Sequence, residues 1–243
     1  MLRIISCLDV KNNFVVKGVN FKNLKNIDSV SNLIIKYEKQ NIDEIVILDI
    51  TSNYTKKSIS YINLKNILKK INTPISIGGG VNNFKKISKL FKIGSDKIIL
   101  NSICYNDICF IKNINLLYGS QSSIIAIDIK KKNNYYFVFK NSGYLNTKFK
   151  LLDWIIIIKK FGCGEILITS IEKDGCRTGF DIYSIYYIKK NIDVSLIVSG
   201  GLGSINDVFY LYKYCSINSF LIASLFHYNL FKPNYFKKYI KLI

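Results

Sequence analysis

The feature that most limits what this chain can become is that it writes the same signals twice, in the same order. An apolar run ending in an acid, Ile4-Ile5-Ser6-Cys7-Leu8-Asp9-Val10-Lys11, returns as Ile124-Ile125-Ala126-Ile127-Asp128-Ile129-Lys130. Both pass through an asparagine-bearing turn into a β-rich segment, Phe14-Val15-Val16-Lys17 and Tyr136-Phe137-Val138-Phe139-Lys140. Gly78-Gly79-Gly80 after Ile75-Ser76-Ile77 is answered by Gly200-Gly201 after Ile197-Val198-Ser199. Asn101-Ser102 is answered by Ala223-Ser224, and Asp49-Ile50-Thr51 by Thr169-Ser170. Four echoes in register argue for a duplicated half, about 1–120 and 121–243, at a period far beyond that of solenoid repeats.

Between the echoes, strand and helix alternate. The strands read as short, β-branched apolar runs of the kind buried on both faces of a parallel sheet: Ile4–Val10, Glu44–Asp49, Ile75–Ile77, Lys97–Leu100, Ile124–Ile129, Glu165–Thr169, Leu196–Ser199 and Ser219–Ala223. The helices read as Ser29–Gln40, Ser58–Lys70, a stretch after Asn82 or Asn83 that stops at Gly94, Asn106–Tyr118, Leu151–Phe161, a stretch capped by Asp181 to about Lys190, Ile205–Tyr214, and a last one near Pro233–Lys241. Lys17–Ile27 reads as a polar loop and Tyr135–Phe149 as a hairpin-like excursion. Alternation of this kind means parallel βαβ units. Eight of them in 243 residues predict a single-domain α/β protein, a (β/α)8 TIM barrel of two half-barrels. A doubly wound open sheet is the alternative; two equal halves closing on each other favour the barrel.

Composition removes several function classes. No apolar run reaches the ~18 residues of a membrane span, and Met1-Leu2-Arg3 runs straight into a strand without signal-peptide architecture. The six cysteines form no CxxC pair and His227 is the sole histidine, so no metal site and no bound cofactor are expected. Reduced, largely buried thiols fit a cytoplasmic protein. The net charge of +19 raises a nucleic-acid or membrane partner, but the lysines are spread over predicted helix surfaces rather than gathered in a block, so neither partner is expected.

In such a barrel the chemistry sits where the strands end. Asp9, Asp49, Gly80, Asn101, Asp128, Thr169, Gly201 and Ser224 all fall there, whereas Arg3, Glu44, Lys97 and Glu165 begin strands and face the other mouth. Glycines ahead of a helix start allow backbone N–H groups to approach a phosphate. The usual barrel phosphate site follows strands seven and eight, and the duplication repeats it after strands three and four. Two such sites imply a long substrate with a phosphate at each end. Asp9 and Asp128 would lie between them as a general acid–base pair. Lys17, in the long loop, could close over the substrate.

The run Cys7-Leu8-Asp9-Val10-Lys11 followed by Val15-Val16-Lys17-Gly18-Val19-Asn20-Phe21 resembles the cyclase subunits of imidazole glycerol phosphate synthase, from histidine biosynthesis. The resemblance continues through Leu48-Asp49-Ile50-Thr51, Gly164-Glu165-Ile166-Leu167-Ile168-Thr169-Ser170, Asp174-Gly175 and Ala223-Ser224-Leu225-Phe226-His227. It implies that ammonia and a phosphoribulosyl-formimino bisphosphate give imidazole glycerol phosphate and aminoimidazole carboxamide ribotide. Asp9 and Asp128 would be the acid–base pair, and Lys17 part of a mobile loop. Gly80, Asn101 and Ser102 would hold one phosphate and Gly175, Gly201, Ala223 and Ser224 the other, with Thr169 and Asp174 beside the substrate. A glutaminase subunit would dock on the N-terminal face, passing ammonia through a charged ring of Arg3, Glu44, Lys97 and Glu165, with Asp96 at the interface. The chain departs from the family pattern at Ile27-Asp28-Ser29-Val30, where Gly-Asp-Pro is usual, at Lys148 in place of Gly, and at Ser216-Ile217-Asn218 in place of Gly-Ala-Asp. Two other readings stay open: the sister isomerase of the same pathway, and a basic binding protein that has lost catalysis.

Overall fold

The computed structural model describes residues 2–51 and 60–241. Its strands are β1 (Arg3–Lys11), β2 (Phe14–Val19), β3 (Lys22–Ser29), β4 (Glu44–Asp49), β5 (Ile75–Gly78), β6 (Lys97–Leu100), β7 (Ser123–Lys132), β8 (Tyr135–Lys140), β9 (Leu145–Lys150), β10 (Glu165–Ser170), β11 (Leu196–Ser199) and β12 (Ser219–Ile222). Its helices are α1 (Val30–Lys39), α2 (Tyr61–Leu68), α3 (Phe84–Lys92), α4 (Ser102–Asn106), α5 (Cys109–Tyr118), α6 (Leu151–Lys160), α7 (Ile182–Asn191), α8 (Ile205–Cys215), α9 (Ser224–His227) and α10 (Pro233–Lys241).

Eight of the strands pair in parallel in the order β1-β4-β5-β6-β7-β10-β11-β12, and β12 returns to β1 with Ile4 opposite Phe220. The sheet is therefore a closed (β/α)8 barrel. Closure leaves these strands no edge and buries both their faces, which is why they read as unbroken apolar runs rather than alternating ones. One set of side chains, including Ile5, Val46, Ile99, Ile124, Leu167 and Ile197, fills the barrel interior. The alternate set, such as Ile4, Ile45, Ile98 and Ile166, packs outward against the helices. The helices present one apolar stripe to that layer: α3 buries Ile87 and Leu90 and turns its lysines to water. Their starts are chemically fixed, with Ser29, Ser60, Asn83 and Asp181 each accepting from a backbone N–H in the first turn.

Three expectations need correction. Lys17–Ile27 is not a loop: β2 and β3 form an antiparallel hairpin, with β2 zipped onto the end of β1. Its two-residue turn, Asn20-Phe21, has both residues at positive φ, the geometry that matches strand twist, and a Phe there hides the turn from sequence reading. β3 looked like loop because it is an exposed, lysine- and asparagine-rich strand, as uncovered strands tend to be. The helix expected over Asn106–Tyr118 is α5, starting at Cys109, and the short helices α4 before it and α9 after β12 went unnoticed. Of the helix expected over Ser58–Lys70, Ser58 and Ile59 lie outside the described residues. The excursion at Tyr135–Phe149 is the hairpin β8–β9, the counterpart of β2–β3.

Candidate active site

β1 and β7 stand four places apart in a ring of eight, so their C-terminal ends face each other across the barrel mouth. That brings Asp9 and Asp128 to opposite walls of one cavity of about 440 Å3, which Lys17, Gly80, Asn101, Ser102, Thr169, Asp174, Gly175, Gly201, Ala223 and Ser224 also line. All the substrate-facing residues expected from sequence are thus gathered at one mouth.

The two acids have different neighbours. Lys17 comes from β2 and is buried; its Nζ donates to both carboxylate oxygens of Asp174 at 2.9 and 3.0 Å and stands 3.8 Å from Asp9 Oδ2. Burial works against the ammonium, but Asp174 and then Asp9 outweigh it and hold Lys17 charged, with its pKa above the usual value. Lys17 is therefore neither a solvated nor a loop lysine; it is a buried clamp between two carboxylates. Burial raises the pKa of Asp9, Lys17 opposes the rise and Asp174 adds to it. Asp128 has no such cation. Burial pushes it up to about 7, opposed by the 3.0 Å hydrogen bond donated by the Asn101 amide and aided by the charges of Asp174 and Asp9. Thr169 stands beside Asp128 in strand register where Leu48 stands beside Asp9.

The glycines do two jobs. Gly79 and Gly200 have φ of +98° and +86°, and a Cβ on either would strike backbone of the preceding strand end, at Asp49 and Ser170 respectively. They are thus needed for close packing before any ligand arrives. Gly80 and Gly201, the next residue in each half, line the cavity. Asn101 and Ala223 precede the short helices α4 and α9 with nearly matching backbone angles. Ser102 exchanges hydrogen bonds with Asn141 of the β8–β9 turn. His227 ties α9 to α1 through a 2.6 Å hydrogen bond with Tyr37; burial lowers the His227 pKa to about 3 and keeps the ring neutral.

At the opposite mouth Arg3, Glu44, Lys97 and Glu165 form a closed ring. Arg3 contacts Glu165 at 2.5 Å and Glu44 at 3.7 Å; Lys97 contacts the same two at 2.6 and 3.9 Å. Asp96 stands outside this ring, exposed, with its carboxylate accepting from the Ile75 N–H at 2.7 Å.

Residues 3–232 match a family model described as "Histidine biosynthesis protein". The chain is 37% identical over 238 residues to the imidazole glycerol phosphate synthase subunit HisF of Sulfolobus acidocaldarius, covering 98% of this chain and 95% of that one. The proteins of the same name from a Hydrogenobaculum species and a Thermotoga species are 39% and 35% identical, covering 98% of this chain and 95% and 94% of theirs. The chain belongs to this histidine biosynthesis family, among its imidazole glycerol phosphate synthase cyclase subunits.

Within that family setting, the cavity residues that escaped the sequence reading include Asn141, Ser142 and Arg177. Asn141-Ser142 lies 121 residues after Asn20-Phe21, and all four have positive φ, so the repeat spacing that revealed the halves would have found the turn. Arg177 follows Gly175 by two positions in the loop between β10 and α7. Asp49, by contrast, is buried and accepts from the Thr51 N–H at 3.0 Å. Among the described residues no group of three His, Cys, Asp or Glu side chains is placed to hold a metal ion, and no helix is long and apolar enough to cross a membrane.

Proposed function

We propose that the Asp9–Asp128 cavity carries out the ammonia-dependent cyclisation of phosphoribulosyl-formimino aminoimidazole carboxamide ribotide. The observation that carries this reading is a pair of carboxylates on opposite walls of one cavity, in environments that separate their proton affinities. Asp9 lies beside the Lys17 ammonium and is the better carboxylate base; Asp128, without a cation and raised to about 7, keeps a proton near neutrality and is the better acid. Ammonia adds to the ribulosyl ketone, one nitrogen proton passing to the oxygen; the oxygen then departs as water on a second proton from Asp128 while Asp9 takes a second proton from nitrogen, leaving an imine. Ring closure onto the formimino carbon then breaks its bond to the departing amine, which leaves protonated as aminoimidazole carboxamide ribotide; imidazole glycerol phosphate is the other product. Gly80, Asn101 and Ser102 hold one phosphate, and Gly175, Gly201, Ala223 and Ser224 the other. Thr169 and Asp174 support Asp128 and Lys17.

The relatives are named as subunits. We read the partner as a glutaminase docked on the face of Arg3, Glu44, Lys97 and Glu165, with Asp96 at its rim and ammonia passing along the apolar barrel interior. Free thiols among the described cysteines accord with a cytoplasmic setting.

The test is product formation from the bisphosphate with ammonium salts and no partner. Wild type should make imidazole glycerol phosphate, and Asp9→Asn and Asp128→Asn should each lose about 100-fold or more in kcat/KM. Mere isomerisation of the substrate by wild type would move the chain to the sister isomerase reading.

A further inference from the structure

The two halves offer the bisphosphate two nearly equivalent phosphate cradles, and the substrate is not symmetric. Something must select which end goes where. The cavity wall carries four carboxylates among the described residues, Asp9, Asp49, Asp128 and Asp174, against two cations, Lys17 and Arg177. Lys17 is already engaged by Asp174 and Asp9. Arg177 has no carboxylate of the described residues within ion-pair distance, so its charge is open to a ligand. The first-half cradle has a lysine close by, Lys86, but its Nζ donates to the Gly79 and Gly80 carbonyls at 2.9 Å and it does not line the cavity.

Arg177 is built into the second-half cradle. Its backbone lies so close to Gly203 that a Cβ there would approach the Arg177 carbonyl to 2.3 Å. Its guanidinium stands 5.0 Å from the Tyr228 ring centroid. Tyr228 ends α9, the helix that begins at Ser224, and donates its N–H to the Ser224 carbonyl. Gly179, two residues further on, donates its N–H to the Gly201 carbonyl at 2.8 Å. One exposed guanidinium, set against Tyr228, thereby shares the cavity wall with Gly201 and Ser224 and carries a planar donor fork suited to a phosphate.

We infer that Arg177 binds the phosphate in the Gly201–Ser224 cradle and, as the open cation of the cavity, fixes the direction in which the bisphosphate lies across Asp9 and Asp128. This rests on the cyclase reading. The experiment compares wild type, Arg177→Gln and Arg177→Lys in the ammonium-dependent reaction, with inhibition by each of the two monophosphate products measured separately. Conversion of the bisphosphate by wild type tests the reading; the variants test the inference. Arg177→Gln should raise KM by roughly 10- to 100-fold, more than it lowers kcat, and Arg177→Lys should recover part of the loss. Inhibition by one product should weaken by a similar factor in Arg177→Gln while inhibition by the other stays within about 3-fold of wild type. Equal weakening for both products, or for neither, would overturn the inference, because a general field or a structural role distinguishes no end of the substrate.

Discussion

At the residue scale, the contrast between Asp9 and Asp128 comes from what stands next to each acid rather than from the acids themselves. Asp9 and Asp128 occupy the same place in their halves, yet a lysine faces one and an amide the other. The consequence for stability has a definite sign. The folded pKa of Asp128, about 7, lies above its unfolded value, so the folded state holds the extra proton and that contribution fades as pH rises from about 4 through 7. Asp128→Asn carries no charge to bury. Its stability advantage over wild type should therefore be near zero at pH 4 and grow to the order of 3 kcal/mol by pH 8, measured by urea unfolding at several pH values. An advantage independent of pH would mean that packing, not ionisation, is responsible. The departures from the family pattern are also legible here. Lys148 and Ser216, where the resemblance leads one to expect glycine, both have left-handed φ, +67° and +53°, which costs an L-residue about 1 kcal/mol each. The altered Asp28-Ser29 segment, in contrast, still caps α1, through Ser29 to the Asn32 N–H. The acids were readable from strand-end position alone; their difference was not, because Lys17 and Asp174 are 157 residues apart and meet only in the fold.

At the scale of elements, the hairpin β2–β3 places Lys17. Its docking depends on the loop after β10: the Asn20 N–H donates to the Asp174 carbonyl at 2.9 Å, and Gly175, at φ +74°, lies against Gly18 so closely that a Cβ would come within 2.5 Å of the Gly18 carbonyl oxygen. Gly175→Ala should lift the hairpin from the mouth. The expected result is a roughly 100-fold loss of kcat/KM with only about 1–3 kcal/mol of global stability lost, and faster amide exchange confined to β2 and β3. Normal exchange there alongside lost activity would point to Gly175 acting on phosphate alone. Barrel strands were readable because burial on both faces writes an unbroken apolar run, and amphipathic helices because burial on one stripe writes a period. The hairpin strand β3 was not, since an exposed strand has no apolar period and its Asn20-Phe21 turn lacks the usual glycine.

For the whole molecule, the barrel joins two mouths of different chemistry. The lower one is closed by the Arg3–Glu44–Lys97–Glu165 ring. Burial works against the Glu165 carboxylate, but hydrogen bonds from Arg3 and Lys97 overcome it and hold the pKa below the usual range. That contribution is fully present above the unfolded value near 4.5 and disappears as pH falls through the lower folded one. Glu165→Gln should cost about 2 kcal/mol at pH 7, and the difference should shrink steadily below pH 4.5 in denaturant unfolding. A constant difference would assign the loss to packing rather than to the ring.

The sequence by itself determined the repeated α/β plan, the strand-end position of Asp9 and Asp128, the glycines after β5 and β11 and the charged residues at the strand starts. Each of these is a local pattern, or a pattern repeated at a fixed spacing, and spacing survives in one dimension. Only the tertiary structure decided that Lys17 is a buried clamp, that Asn101 and Thr169 flank one acid and not the other, and that Arg177 lines the same cavity as Gly201. Those relations are set by barrel closure, which brings β1 beside β12 and β7 beside β10 and so joins residues with no sequence neighbourhood in common.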